Sequence, residues 1–300
     1  MTSVKYILRG NWTRDGAGVK LYRVFGGMEL AELTDPFLLL DHFGSRYPHE
    51  YLMGFPWHPH RGIETVTYLL KGEVRHADST GVEGVIGTGD IQWMTAGSGI
   101  FHEEMPRPST VRRVDVEEVD PEVLGFQLWV NLPRAKKMVD PRYKNLRREH
   151  VPRVRTDGGA EVVLVAGKVY EPGTGVVEGP ASGLHVPVVY MDVRLAEGTF
   201  FAFTAREGHT VLAYVYEGRV SLNGREVGRG ELAILDRSGG EVKAGGEGKF
   251  LLLSGRPLEE PIAWRGPIVM NSWEEIWQAF RELEEGTFVK KRAVDYDYFK

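Results

Sequence analysis

The sequence contains no cysteine, which excludes disulfide bonds, thiolate metal ligands and a cysteine nucleophile. It also lacks an apolar run long enough for a transmembrane helix, and its first six residues lack the features of a secretory signal, so we expect a cytoplasmic protein. No basic excess is present, because 37 Lys and Arg against 42 Asp and Glu leave a formal net charge of −5. We therefore expect neither a membrane nor nucleic acid as a partner, and any metal site must use nitrogen and oxygen ligands.

Histidine occurs nine times in the 300 residues, and three of these histidines fall in two short segments. The first segment is His58-Pro59-His60 and the second is His102-Glu103-Glu104. In an extended strand, residues i and i+2 point to the same side. His58 and His60 would thus share one interior with His102 and Glu104 from a second strand, whereas Glu103 would point away. A single HxH pair also arises by chance, but the two segments together could supply four ligands to one metal ion.

Glycine (37) and proline (16) separate short β-branched or aromatic runs along most of the chain, a pattern that predicts an all-β fold. Examples of these runs are residues 65–70, 126–130, 162–165 and 250–253. A helical pattern is clear only near the end, where Ser272 and Glu275 form a capping-box sequence and Gly286 follows an apolar stripe. We therefore predict two β-domains and a short C-terminal helix.

The two halves of the chain resemble each other weakly. Residues 67–74 (TYLLKGEV) are echoed by residues 213–220 (AYVYEGRV), each a strand that runs into a glycine turn. The second copy is not preceded by an HxH pair, so we expect it to have kept the fold without the metal. We place the first domain at residues 1–133 and the second at 156–300. Residues 134–155 form a basic segment between them, interpreted as a solvated linker rather than a phosphate site.

Several long strings resemble the pirin family, a group of two-barrel proteins in the cupin superfamily. The strings are DPFLLLDHFG (35–44), HPHRGIETVTYLLKG (58–72), GDIQWMTAGSGIFHEEMP (89–106) and GFQLWVNLPRAKKMVDPRY (125–143), and the resemblance continues to Asn271. It covers most of the chain in the family's order. The resemblance implies two tandem cupin barrels, the double-stranded β-helix or jelly-roll fold, with the metal in the N-terminal one.

Carried over residue by residue, the resemblance implies that His58, His60, His102 and Glu104 bind one divalent metal ion. Pirins are taken to hold iron, so Fe(II) is expected, although imidazole and carboxylate ligands also suit Mn, Ni, Co, Cu or Zn. The general cupin pattern often uses the glutamate of the first motif, here Glu64, as a ligand. We therefore treat Glu64 and Glu104 as the candidate catalytic carboxylates, with Glu64 either a base or a partner of the ligands.

Four aromatic side chains and one methionine near the two motifs are candidates for a substrate pocket over the metal. They can equally be ordinary core residues. The candidates are Phe55, Trp93, Met94, Phe126 and Trp129.

The resemblance implies dioxygenase activity of the quercetin 2,3-dioxygenase type, with a flavonol or related aromatic enol or diol and dioxygen as substrates. Pirins also include non-enzymatic regulators, so the alternative is a redox-sensing protein that binds a transcription or metabolic partner. A sugar-phosphate isomerase would need clustered basic residues inside the barrel, and only Arg61 and Arg75 lie near the motifs. We favour the oxidoreductase.

Overall fold

The computed structural model describes residues 2–113, 116–291 and 294–296, and it consists mainly of β-strands. The first half contains β1 (Val4–Arg9), β2 (Asn11–Asp15), β3 (Val19–Gly26), α1 (Met28–Thr34), β4 (Phe37–Ser45), β5 (Phe55–His60), β6 (Ile63–Lys71), β7 (Glu73–Asp78), β8 (Glu83–Ile86), β9 (Ile91–Thr95), β10 (Ile100–Arg107), β11 (Ser109–Arg113), β12 (Val116–Asp120) and β13 (Val123–Asn131). Short 3-10 turns lie at Pro48–Glu50, Arg134–Lys136 and Arg148–His150.

The second half continues with more strands and a helix near its end. It contains β14 (Arg142–Leu146), β15 (Arg153–Arg155), β16 (Glu161–Ala166), β17 (Lys168–Glu171), β18 (Gly175–Glu178), β19 (Val188–Leu195), β20 (Phe200–Ala205), β21 (Thr210–Leu222), β22 (Arg225–Gly228), β23 (Glu231–Leu235), β24 (Gly240–Gly255), β25 (Ala263–Arg265), β26 (Ile268–Met270), α2 (Trp273–Glu284) and β27 (Val294–Tyr296). The four strand-like runs expected from sequence all lie in strands, which confirms the all-β prediction.

The chain folds into two compact units that interleave along the sequence. The first comprises residues 1–10, 29–36 and 149–259, and the second comprises residues 11–28, 37–148 and 260–300. These units differ from the three segments expected from sequence, because residues 260–300 join the unit that contains the histidine motifs. The physical reason is packing, since Phe101 on β10 packs against the buried apolar cluster formed by α2, β26 and Phe288.

The first unit is organised around a sheet whose strand order is β1-β23-β21-β24-β19-β16-β15. In addition, β20 pairs with β24 and β22 pairs with β21. Valine, leucine and alanine side chains from these strands form one continuous core. Val162, Val193 and Leu252 are among its buried members. This unit contains the part of the chain where the sequence repeats the strand and glycine turn of the first half.

The second unit contains two main sheets, with strand orders β2-β3-β4-β13-β6-β9-β14-β27 and β5-β10-β7-β8. A buried cluster joins their inner faces, and it includes Leu21, Phe43 and Leu69 from the larger sheet and Val74 and Ile86 from the smaller one. Burial of these side chains supplies the main driving force for packing the sheets together. The smaller sheet carries both histidine motifs.

Helix α2 begins and ends where the sequence predicts. Ser272 caps it by accepting a hydrogen bond from the Glu275 amide, and the Glu275 side chain completes the capping box. Gly286 follows the helix at φ 70°, and the amides of Gly286 and Thr287 bond back to Leu283 and Glu282 in a Schellman arrangement. The short helix α1 was not expected, because its seven residues make only about two turns.

The basic segment at residues 134–155 is not solvated throughout, contrary to the sequence-based interpretation. It contributes β14 to the larger sheet, and Lys137 and Lys144 are 1% and 2% exposed. The Lys137 ammonium donates to the carbonyl oxygen of Gly62 and to Asn131 Oδ1. Hydrogen bonds therefore offset the burial of the Lys137 ammonium. Among the helices in the described ranges, none has the length and apolar character needed to cross a membrane.

Candidate metal centre and cavity

Strands β5 and β10 run antiparallel and bring the two histidine motifs together. His102 lies directly opposite His58, and Ile100 lies opposite His60. Directly opposed residues project from the same face of a sheet, as do residues i and i+2. His58, His60 and His102 therefore point to one side, as the sequence predicts. A bulge follows His102, after which Glu104 lies opposite Phe55.

The three imidazole rings form a compact cluster. Their ring centroids lie 4.4 Å apart for His58 and His102, 4.8 Å for His58 and His60, and 5.1 Å for His60 and His102. One nitrogen from each ring lies within 4.8 Å of the others, an arrangement that could hold a metal ion. His60 and His102 are only 2% and 1% exposed, whereas His58 is partly exposed.

Hydrogen bonds to backbone carbonyls orient two of the rings. Nδ1 of His58 lies 2.8 Å from the carbonyl oxygen of Pro56, and Nδ1 of His60 lies 3.2 Å from that of Pro267. A proton on each Nδ1 leaves Nε2 with a free lone pair, the form that binds a metal. Both ring nitrogens of His102 are buried, and no hydrogen-bond partner for them is found among the described residues. A cation at the centre of the cluster would satisfy one of them.

Burial keeps His60 and His102 neutral. It lowers the pKa of His60 to about 3, and it lowers the pKa of His102 well below the usual range, with the neighbouring histidines adding to both shifts. Neutral imidazoles at physiological pH retain the lone pairs that metal binding requires. The donor chemistry and the unsatisfied nitrogens of His102 thus fit a divalent cation.

Glu104 faces the same interior and is held by Thr67. The Thr67 hydroxyl lies 3.1 Å from Glu104 Oε1 and 2.6 Å from Gln127 Oε1. Because a hydroxyl carries one hydrogen, it donates to one of these oxygens at a time. Burial raises the pKa of Glu104, partly offset by His58 and by the Thr67 hydrogen bond. A bound cation would favour the carboxylate form.

Glu64 is not brought to the histidines. It lies three positions before Thr67 on β6, so the two side chains leave opposite faces of that strand. Its carboxylate is fully buried and accepts hydrogen bonds from Trp93 Nε1 at 2.9 Å and from the Thr95 hydroxyl at 2.8 Å. Burial raises the pKa of Glu64, while these two hydrogen bonds oppose the shift. Glu64 does not line the cavity described below.

The turn before β10 depends on glycine at two positions. Gly97 has φ 50° and Gly99 has φ 131°, both in the region that favours glycine. A Cβ on Gly97 would lie 2.1 Å from the Val139 carbonyl oxygen. The turn therefore needs glycine to direct the chain into the strand that carries His102.

Arg61 directly follows β5, and its side chain connects the first histidine motif to the C-terminal segment. Its guanidinium donates to the carbonyl oxygens of Ser98 (2.8 Å) and Phe288 (2.9 Å) and forms an ion pair with Glu282 at 2.6 Å. It also lies 4.2 Å from the centroid of the Phe288 ring. Arg61 is 2% exposed, so it acts as a buried anchor.

A cavity of about 610 Å³ opens beside the cluster and is lined by His58, His60 and Glu104. Of the five pocket residues proposed from sequence, Phe55 and Trp129 line it, and Trp129 contacts His60 edge to face at 5.0 Å between centroids. The other three, Trp93, Met94 and Phe126, are buried and do not line it. Trp264, which sequence reasoning missed, adds a second indole 6.0 Å from Trp129.

Charged and polar residues on the cavity wall were also missed. Arg23 donates to both oxygens of Asp41, at 2.9 Å and 2.8 Å, and to Asp15 Oδ2 at 2.8 Å. Burial raises the pKa of Asp41 to about 6, although the Arg23 hydrogen bonds oppose this shift. The available signal was a charged residue within each of two largely apolar strands, Arg23 on β3 and Asp41 on β4.

Known proteins resemble this chain over most of its length. The family model described as Pirin matches residues 18–130, and the model for the Pirin C-terminal cupin domain matches residues 190–289. A pirin-like protein from Caulobacter vibrioides is 43% identical over 94% of this chain and 97% of its own length. A Pseudomonas aeruginosa protein, provisionally named a quercetin 2,3-dioxygenase, is 43% identical over 92% of this chain and 94% of its own.

A solved structure supports the same relationship. The crystal structure of quercetin 2,3-dioxygenase from Acinetobacter baumannii superposes with a TM-score of 0.85 at 34% identity and covers 97% of this chain and 100% of that one. The two family models in tandem and this superposition confirm the prediction of two cupin barrels.

Proposed function

This chain belongs to the pirin family, and from that membership and its buried histidine cluster we propose that it is a metal-dependent dioxygenase of the quercetin 2,3-dioxygenase type. The observation that carries the proposal is the position of the cluster. Three imidazoles form a cluster beside a cavity of about 610 Å³, which is lined by His58, His60, Glu104 and two indoles. A cavity of this size and lining suits a small, flat aromatic substrate.

We propose that His58, His60, His102 and Glu104 hold one divalent metal ion, with Fe(II) as the native ion. Octahedral coordination by four protein ligands leaves two open positions. An ion bound there would supply Lewis acidity that lowers the pKa of a phenolic hydroxyl, together with the redox chemistry that dioxygen requires. The carbonyl oxygens of Pro56 and Pro267 hold the tautomers of His58 and His60 that this binding needs.

We propose that side chains on the cavity wall bind the substrate, exclude water and accept the proton. Trp129 and Trp264 would pack against the faces of a planar substrate and exclude water from the reacting end. Of the two candidate catalytic carboxylates, Glu104 lines the cavity and Glu64 does not, so we propose that Glu104 accepts the proton of the substrate hydroxyl as well as binding the metal. Glu64 accepts hydrogen bonds from Trp93 and Thr95 instead, so we assign it to joining β6 and β9.

Oxygen uptake tests this function directly. The protein is purified without oxygen, stripped, and reloaded separately with Fe(II), Mn, Ni, Co, Cu or Zn, and an oxygen electrode records uptake with quercetin. We expect uptake with the Fe(II) protein and its loss to background in His102→Ala. His49→Ala is the matched control, because His49 is an exposed histidine that does not line the cavity.

A lack of quercetin-dependent uptake in every metal form would contradict the proposal and favour the non-enzymatic regulator. Equal uptake by the wild type and His102→Ala would contradict the assignment of the site.

A further inference from the structure

A row of polar side chains crosses the inner face of the larger sheet of the second unit. Arg23 on β3 lies directly opposite Asp41 on β4, Asp41 lies opposite Gln127 on β13, and Gln127 lies opposite Thr67 on β6. Directly opposed residues share a face, so all four project into the same interior. The row ends at Glu104, which the Thr67 hydroxyl contacts. Three strand spacings make it roughly 14 Å long.

Apolar side chains lie on both sides of this row. On one side, two positions from the row along the strands, Leu21 on β3 lies opposite Phe43 on β4. On the other side, also two positions from the row, Leu39 on β4 lies opposite Trp129 on β13. All four line the cavity, as do the members of the polar row. A flat ring system across the strands would place its polar edge on the row and its apolar surface on these flanks.

Two side chains in the row have hydrogen-bond donors to offer a ligand. Arg23 uses Nε and Nη2 on Asp41 and Asp15, and no partner of its Nη1 is found in the described part of the chain. Gln127 Oε1 lies 2.6 Å from the Thr67 hydroxyl, which donates either to it or to Glu104, and no partner of Gln127 Nε2 is found among residues 2–113, 116–291 and 294–296. Donors on a cavity wall without internal acceptors favour a ligand that brings oxygen acceptors to them.

The local charge decides which kind of oxygen fits. Arg23 carries one positive charge, and the two carboxylates that it contacts, Asp41 and Asp15, carry two negative charges when ionised. The neighbourhood is therefore not cationic at neutral pH, unlike sites built to bind carboxylate or phosphate, where guanidinium groups are free to form paired hydrogen bonds with the anion. A neutral hydroxyl or carbonyl oxygen meets no repulsion from Asp15 and Asp41, whereas an anionic substituent does.

We propose that Arg23 and Gln127 are specificity residues that bind a neutral hydroxyl or carbonyl substituent at the end of the aromatic substrate remote from the metal. Asp41 acts as a positioning residue, because it fixes the guanidinium through two hydrogen bonds. This inference rests on the proposed function, since it assumes that one oxygen of the same substrate reaches the metal. It narrows the substrate class to uncharged polyhydroxylated aromatics and excludes aromatic acids.

Ligand binding to the zinc-loaded protein tests the inference apart from catalysis, because zinc has no redox chemistry and the ligand is not consumed. Titration calorimetry would compare three probes: quercetin, 3-hydroxyflavone, and 3-hydroxyflavone with a carboxylate at position 4′. The second probe keeps the metal-binding oxygens but lacks the other hydroxyls. We expect quercetin to bind about tenfold or more tighter than 3-hydroxyflavone, and the carboxylated probe to bind more weakly than both.

Variants then assign the effect to residues. Arg23→Met and Gln127→Leu should each weaken quercetin binding by up to about tenfold and leave the affinity for 3-hydroxyflavone unchanged. Gln127→Leu removes no charge, so it keeps the test valid if Arg23→Met does not fold. Arg155→Met is the matched control, because Arg155 also pairs with a carboxylate, that of Glu161, but it is exposed and does not line the cavity.

Three results would overturn the inference: equal affinity of the wild type for quercetin and 3-hydroxyflavone, equal losses for both probes in the variants, or tightest binding of the carboxylated probe. Failure of the proposed function gives a different result. In that case the iron-loaded protein consumes no oxygen, while the zinc-loaded protein still discriminates between the probes through Arg23 and Gln127.

Discussion

The hydroxyl of Thr67 lies 3.1 Å from Glu104 Oε1, and both side chains are buried on the cavity side of their strands. Glu104 follows a bulge in β10, so its position is not held by regular pairing with β5. Thr67, on the larger sheet, therefore fixes the carboxylate that completes the proposed ligand set. A ligand oriented from outside the coordination sphere loses affinity when that support is removed.

Replacing Thr67 separates the role of its hydroxyl from that of its shape. Thr67→Val keeps the volume but removes the hydrogen bond, and we expect the affinity for a divalent metal to fall by about 10- to 100-fold. Thr67→Ser keeps the hydroxyl and should bind close to the wild-type value. Competition with a chelator of known affinity measures both. If the valine and serine variants bind metal equally well, the hydroxyl does not position Glu104.

Arg61 should contribute strongly to stability, because it is buried and paired. Arg61→Leu leaves the Glu282 carboxylate with Lys290 as its remaining ion-pair partner, and we expect the free energy of unfolding to fall by about 3 kcal/mol. Arg9→Leu is the control, because the Arg9 and Glu231 pair is exposed on its arginine side and should cost less than about 1 kcal/mol. Urea denaturation measures both losses. Similar losses in the two variants would contradict the role of Arg61 as a buried anchor.

Asp41 should make stability depend on pH in the acid range. Its pKa is about 6 in the folded protein against a usual value of 3.8, so the folded state binds the proton more tightly between these values. The free energy of unfolding should therefore fall as pH rises from about 4 to 6, by up to about 3 kcal/mol from this group, and stay constant above that range. Other carboxylates also titrate there, so the difference between wild type and Asp41→Asn isolates the contribution.

We expect Asp41→Asn to lack that component of the pH dependence in urea denaturation of the metal-free protein. Identical slopes for wild type and variant between pH 4 and 6 would show that Asp41 ionises normally in the folded state.

The side on which each histidine of the cluster points could be predicted from local sequence, because strand alternation is a local property. His58 and His60 are two residues apart on β5, and the same rule separates Glu104 from Glu103 on β10. Helix α2 could also be predicted, since Ser272 and Glu275 cap it through contacts only three residues apart. In each case the rule connects residues two or three positions apart, whereas the pairing of β5 with β10 was implied by the family resemblance.

The position of Glu64 could not be predicted in this way. Seven successive residues of β6, from Ile63 to Leu69, are buried, so no alternation of polar and apolar side chains marks the face that lines the cavity. The Arg23 and Asp41 pair depends on the register of β3 against β4, and Trp264 enters the cavity wall from more than 200 residues beyond His60. These relationships are set by tertiary pairing and are invisible in a local pattern.

The most direct test of the metal centre is anomalous diffraction at the zinc edge from crystals of the zinc-loaded protein. We expect one metal ion per chain, about 2.0–2.2 Å from one ring nitrogen each of His58, His60 and His102 and from a carboxylate oxygen of Glu104. A metal bound by Glu64 in place of Glu104, or by fewer than three of these histidines, would contradict it.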